Sequence, residues 1–425
     1  MNSKVYIPFS FLLISSLLIS ACTQNSRSYL SEDITPLDIE THITFLASDS
    51  LNGREAGSAD EAIAANYIAD HFRDFGLEPA GDDDTYFQEF TINTSVLNNP
   101  HASQDGEGEK RLSKNVAGLL QGSANSDEVI IIGAHYDHLG LGEFGSLYRG
   151  DEPKIHNGAD DNASGTAGVL ELAQYFSENR PEKDILFLAF SGEEMGLLGS
   201  AYYVDNPTVD LENALAMINM DMIGRMADKK LMIFGMGTAD DWENIVNVAN
   251  TDSLKLNLVK DGTGASDHTS FYYKEIPVLH YFTDTHADYH RPSDDTEYIN
   301  TEGEALALQH LVRVIQYLDD TTPDQLVFKE APGEQRQSMN LDGPTLGVLP
   351  DYGYEGTGMK ITGVTKGRAA QQAGVKGGDI IIGLAGEKLE DIYGYMGMLN
   401  KLKKGQKTTI TVLRDGKEMT MDLEL

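Results

Sequence analysis

Residues able to do chemistry gather at five places along this chain: His135-Tyr136-Asp137-His138, Gly158-Ala159-Asp160-Asp161-Asn162, Ser191-Gly192-Glu193-Glu194, Asp221, and Tyr289-His290. Imidazole and carboxylate donors without thiolate suit catalytic zinc, which keeps a coordination position open for water. Two histidines and three carboxylates can hold two ions if one carboxylate bridges them. Two metals about 3.5–4 Å apart can share a water, lower its pKa and stabilise the tetrahedral intermediate of amide hydrolysis. A carboxylate outside the ligand set then accepts the water's proton. The adjacent pair Glu193 and Glu194 fits that division of labour, because neighbouring side chains at a strand end point different ways, one to the metal and one to the water.

Most of these groups fall just after, or at the end of, an apolar strand-like run. Such runs occur at 86–92, 116–120, 129–133, 185–190, 214–221, 231–234 and 276–282. Helical spacing appears at 164–176, 197–206, 241–249 and 304–318. A further helix is expected over 59–75, where Ser58 and Glu61 form a capping box and Gly76 supplies the stop. Apolar strands alternating with helices predict an α/β protein whose sheet is covered on both faces. Ligands of such sheets collect outside the carboxyl ends of the strands, where the five segments lie.

The 425 residues exceed the usual one-domain length of about 100–200 residues, so a second domain is expected. From Asn340 onward 11 basic residues face 11 acidic ones, so the whole net charge of −35 lies before that point. An acidic body of this kind repels phosphate backbones and anionic headgroups, which argues against a nucleic-acid role. Residues 321–343 read as a linker between a body at 37–320 and a neutral module at 344–425, which has strand-like runs at 359–364, 379–384, 408–413 and 419–423 and a helical run at 393–402. Cys22 is the only cysteine, so no intramolecular disulfide forms. Lys4, an apolar run at 7–19 and the small residues Ser20 and Ala21 make residues 1–21 an export signal.

Leu18-Ile19-Ser20-Ala21-Cys22 resembles a bacterial lipobox, which implies a lipid on Cys22, a tether over 22–36, and attachment to the cell envelope. Thr23 after it implies the outer membrane facing the periplasm. The five motifs, in order and spacing over about 37–318, resemble those of the co-catalytic zinc exopeptidases typified by secreted bacterial leucyl aminopeptidases. That resemblance implies a three-layer αβα sandwich with a mixed, mostly parallel sheet, two zinc ions per chain, and peptide substrates cleaved at the N-terminal bond. It implies His135, Asp161 and Asp221 on one zinc and Asp161, Glu194 and His290 on the other, with Asp161 as the bridge. Glu193 is then the general base, Asp137 orients His135, and Tyr289 stabilises the oxyanion. The remaining nearby groups, His138, His156, His268, His280, His286 and Asp160, have structural or substrate-side roles by the same resemblance. Ser266-Asp267-His268 is not a hydrolase triad, because no nucleophile elbow surrounds the serine.

Three alternatives stand beside this reading. Arg225 either contacts a substrate carboxylate, as a related zinc carboxypeptidase needs, or forms a structural ion pair. The single-zinc glutaminyl cyclase branch is disfavoured because His135 and Asp221 are both present. The module at 344–425, with Leu346-Gly347-Val348 and the run from Ala369 to Ile381, resembles a bacterial PDZ domain, a small mainly-β fold that takes a peptide C-terminus by strand addition. That module either binds peptides or braces the larger body. A non-catalytic PDZ lipoprotein is thus the reading from a different class.

Overall fold

The computed structural model describes residues 33–93, 110–331 except 125, 149 and 151, and 346–425 except 351–356, 365–367, 390–394, 396–397, 400–401, 404 and 415. The export signal, Cys22, most of the tether and most of the helical run at 393–402 lie outside the described residues. No helix among the described residues is long and apolar enough to cross a membrane.

In chain order the larger body runs α1 (Pro36–Leu46), α2 (Ala59–Phe75), β1 (Glu78–Pro79), β2 (Phe87–Asn93), β3 (Lys110–Leu120), β4 (Val129–His135), α3 (Gly165–Glu178), β5 (Asp184–Phe190), α4 (Leu198–Asp205), β6 (Ala214–Met220), β7 (Lys230–Phe234), α5 (Trp242–Ala249), β8 (Lys255–Leu258), α6 (His268–Tyr272), β9 (Val278–Phe282) and α7 (Thr301–Asp319). The strands form one mixed sheet in the order β1-β3-β5-β4-β6-β9-β7-β8, with β2 paired to β3. Its four central strands, β5, β4, β6 and β9, are mutually parallel. The flanking pairs β3–β5 and β7–β9 are antiparallel.

Parallel pairing at the centre explains the unbroken apolar runs, since both faces of these strands are buried. On one face Val129, Ile131, Leu186, Leu188 and Phe190 pack with Tyr203 of α4 and Phe271 of α6. The alternate residues Ile130, Ile132 and Phe187 are equally buried, and Phe187 meets Phe72 of α2 on the other face. Side chains therefore alternate into two cores, giving the expected αβα layering. Gly133 sits in β4 because a Cβ there would lie 2.7 Å from the Phe190 ring.

Helix α2 starts and stops where expected. Ser58 accepts from the Glu61 amide and Gly76 closes the helix at φ +81°. The reciprocal half of the capping box is altered: Glu61 bonds the Gly57 amide and takes buried hydroxyls from Ser113 and Tyr136. The stretch read as a linker is bound to the larger body as far as Ala331. Leu326 is buried, Lys329 N donates to Thr238 O, and Gly262 N donates to Ala331 O. The C-terminal module has a separate antiparallel sheet, β10 (Val348–Pro350), β11 (Met359–Val364), β12 (Ile380–Leu384), β14 (Lys407–Arg414) and β15 (Lys417–Glu424), with β13 (Glu387–Lys388) on β12 and α8 (Ala369–Ala373). Its own core contains Leu346, Ile361, Ile381, Ile410 and Val412.

Candidate active site

The five segments converge at the carboxyl ends of the central parallel strands. His135 ends β4, Glu193 and Glu194 follow β5, Asp221 follows β6, and His290 lies beyond β9. Asp161 comes from the tight turn Ala159–Ser164 that opens α3, and the Asp160 and Asp161 amides both donate to the buried carboxylate of Asp294. Among the described residues, two sets of ligand-type atoms cluster closely enough for a metal: His135, Asp161 and Asp221, and His138, Asp161 and Glu194.

His135 Nε2 lies 3.5 Å from Asp161 Oδ1 and 3.5 Å from Asp221 Oδ1. His290 Nε2 lies 3.2 Å from Asp161 Oδ2 and 3.2 Å from Glu194 Oε2. Asp161 thus turns one oxygen to each histidine, the arrangement a bridging carboxylate needs. Two ligands of one tetrahedral zinc, each about 2.0–2.1 Å from it, lie about 3.3 Å apart. All four separations lie near that spacing, and the two at His135 exceed ordinary hydrogen bonds.

Glu193 Oε2 approaches His135 Nε2 only to 3.9 Å, so it stands at the margin of the first cluster. Its amide donates to Asp137 Oδ1. Asp137 also faces His135 Nδ1, but the nearer acceptor is its backbone carbonyl, at 3.2 Å against 3.7 Å for the carboxylate. Asp137 therefore touches both the expected ligand and the expected base. The Tyr289 ring stacks on His290 at 3.9 Å between centroids.

Burial works against charge on every group here, and the neighbours decide which ones keep it. Burial opposes charge on His135, yet Asp221 and Glu193 hold its imidazolium well above the usual range. His290 is likewise raised, against its burial, by Glu194 and Asp161. Glu194, despite burial, is held well below the carboxylate range by His290 and His138. Glu193 goes the other way: burial, only partly offset by His135, lifts it well above its ordinary value, with Glu194 and Asp221 adding to the rise. Burial and the surrounding acids keep Tyr289 protonated. The site is thus rich in buried carboxylates, balanced by imidazoles and by the buried Arg54 guanidinium. Among the described residues Asp221 Oδ1 has no hydrogen-bond partner. Divalent cations at the two clusters would supply both positive charge and the missing partner, so the donor set fits zinc.

Other expectations resolve individually. Arg225 pairs with Asp288 and buried Asp294 and lies over the Tyr298 ring, so the structural ion pair is the observed arrangement. Asp160 supports its loop, accepting from Gly224 N and contacting His286. His268 and His280 stack face to face behind the site, 4.5 Å apart. His138 is the surprise: its Nδ1 lies 2.7 Å from Glu194 Oε1. Arg54 was not anticipated at all. Fully buried, it donates to the carbonyls of Leu46, Tyr136, Asn157 and Gly158, binding together the loops that carry His135 and Asp161. Its only signal in the chain is a lone cation between Gly53 and Glu55.

Fold and cluster together describe an α/β protein with a candidate divalent-metal centre at the carboxyl ends of its parallel strands. Residues 115–315 match the profile of peptidase family M28, and residues 336–425 match that of the PDZ domain. The larger body is thus similar to M28 peptidases and the C-terminal module to PDZ domains. Aminopeptidase YwaD of Bacillus subtilis is 29% identical over 206 residues, covering 45% of this chain and 41% of that protein. A probable zinc metalloprotease of Pyrenophora teres f. teres is 41% identical over 168 residues, covering 38% of this chain and 34% of its own length. The chain thus spans well under half the length of these relatives. Among solved structures, BSAP, a zinc aminopeptidase from Bacillus subtilis, aligns with a TM-score of 0.54 at 18% identity, covering 71% of this chain and 100% of that one. A leucine aminopeptidase precursor from Bacteroides thetaiotaomicron aligns with the same score at 18% identity, covering 67% and 98%. These structural likenesses define the fold.

Proposed function

We propose that this protein is a two-zinc aminopeptidase, exported and held at the cell envelope by a lipid on Cys22. The observation that carries the reading is Asp161, whose two oxygens face two different histidines at ligand spacing. His135, Asp161 and Asp221 would hold one ion; Asp161, Glu194 and His290 the other. When bound, the pair supplies Lewis acidity, lowering the pKa of a shared water and polarising the scissile carbonyl.

The chain's own groups do the rest. Glu193 takes the proton from the attacking water and returns it to the leaving amine, so no proton is gained or lost over the turnover. A raised pKa suits that task, since the group must both accept and release near neutral pH. Asp137 fixes His135 and, through the Glu193 amide, the approach of the base. Tyr289, kept protonated, donates to the developing oxyanion. The acidic crevice favours a free N-terminal ammonium, while Arg225 is occupied by its aspartates and unsuited to a substrate C-terminus. The PDZ domain takes an extended peptide by strand addition.

The test is a panel of oligopeptides with free and blocked termini, assayed with and without chelator. Stepwise release of N-terminal residues that a blocked amine or chelator abolishes is expected. Cleavage of N-blocked peptides from the C-terminus would instead support the carboxypeptidase alternative. Peptide binding that survives chelation without turnover would leave the PDZ as the working part. The anchor predicts fatty acid incorporated into the exported chain and lost in Cys22→Ala.

A further inference from the structure

We infer that His138 is a positioning residue, holding the Glu194 carboxylate by a hydrogen bond and so setting the second metal position without binding the ion itself. The inference rests on Glu194 being a metal ligand. His138 is 1% exposed, and its ring is packed against Gly158, where a Cβ would come within 2.4 Å of the imidazole. Gly158 stands at φ +56°, so close approach and backbone conformation both require glycine there. The ring is therefore fixed by packing, and among the described residues its one hydrogen bond runs from Nδ1 to Glu194 Oε1 at 2.7 Å. An ionised carboxylate only accepts, so Nδ1 carries the proton.

The competing assignment makes His138 a ligand in place of His290. Distances decide between them. Two ligands of one tetrahedral zinc lie about 3.3 Å apart, whereas 2.7 Å is the length of a charge-assisted hydrogen bond. His138 Nδ1 is also 4.0 Å from Asp161 Oδ2, while His290 Nε2 is 3.2 Å from that same oxygen. With Oε1 taken by His138, Glu194 presents Oε2 to His290 and the cluster. The segment 135–138 thereby serves both metal positions: His135 directly at the first, His138 through Glu194 at the second.

Metal-free full-length chain is titrated with zinc against a competing chromophoric chelator, for the wild type, His138→Leu, His138→Asn and His138→Gln. Loss of an outer partner costs about 10–100-fold in metal affinity. His138→Leu should weaken one of two zincs by that factor and leave the other unchanged. His138→Asn should restore most of the loss, because its amide donor reaches the place of Nδ1; His138→Gln, whose donor lies further out, should not. Unchanged melting of the metal-free variants separates this from unfolding. If the leucine variant does not fold, the asparagine and glutamine pair carries the test. Wild-type affinity at both sites in His138→Leu, or equal losses in Asn and Gln, overturns the positioning role alone. A wild-type chain that takes no second zinc overturns it together with the two-zinc reading.

Discussion

Arg54→Lys isolates the device that holds the two ligand loops together. The guanidinium is 0% exposed and, among the described residues, bonds four backbone carbonyls and no carboxylate. Nε reaches Tyr136 O at 2.6 Å and Nη2 reaches Gly158 O at 2.7 Å, on loops distant in sequence. Burial lowers its pKa to about 10, with Asp161, Asp137 and Asp294 favouring the charge, so it is cationic at neutral pH. A lysine keeps the charge but concentrates its donors at one point and cannot span four carbonyls. At least two of them lose their partner, at about 1–3 kcal/mol each, so a loss of about 2–6 kcal/mol is expected. That is a large part of a typical stability of about 5–15 kcal/mol. Urea unfolding of the metal-free chain, followed by the fluorescence of Trp242, reads this directly. Trp242 is the only tryptophan and is buried in α5, so the C-terminal module is silent. The urea midpoint should fall with little change in slope. A change within about 0.5 kcal/mol, the range of ordinary surface substitutions, would refute the role given to the guanidinium fork.

Asp161→Asn should lose both zincs together in a metal analysis, because it removes charge from the residue shared by both clusters. Glu193→Gln should keep both zincs and lower kcat by about 10²–10⁴-fold, the usual contribution of a general base; loss of metal in this variant would place Glu193 among the ligands. Glu171, pushed up to about 8 by burial and by Asp38, gives a pH signature far from the metal centre. A carboxyl raised in the fold contributes stability that is complete below its ordinary value of 4.5 and lost as pH rises to about 8. The stability of the wild type relative to Glu171→Gln should therefore fall across that window and level off above it; a flat difference would show that Glu171 is not held neutral.

The convergence of the five segments was legible because their donors sit immediately after, or end, apolar runs long enough to be central strands, and parallel topology sends such ends to one edge. Helix α2 was legible from Ser58 and Gly76 for equally local reasons. What escaped depends on tertiary partners. Arg54 binds carbonyls from distant loops, and no periodicity announces that. His138 was set aside because resemblance assigns it no metal, while its role is a bond to a residue 56 positions away. Glu61 announced a cap and also became a buried acceptor for Ser113 and Tyr136, which only packing of β3 against α2 could arrange. Strand β8 (Lys255–Leu258) and helix α6 were missed because each is too short to show a period. The segment at 326–331 looked like a linker since its anchoring runs through backbone groups, to Thr238 and Gly262.

Zinc-edge anomalous scattering from crystals of the zinc-loaded chain tests the central claim most directly. Two peaks about 3.5–4 Å apart should straddle Asp161, one against His135 and Asp221 and the other against Glu194 and His290. A single peak, or a pair that leaves Asp161 uncoordinated, would contradict the account.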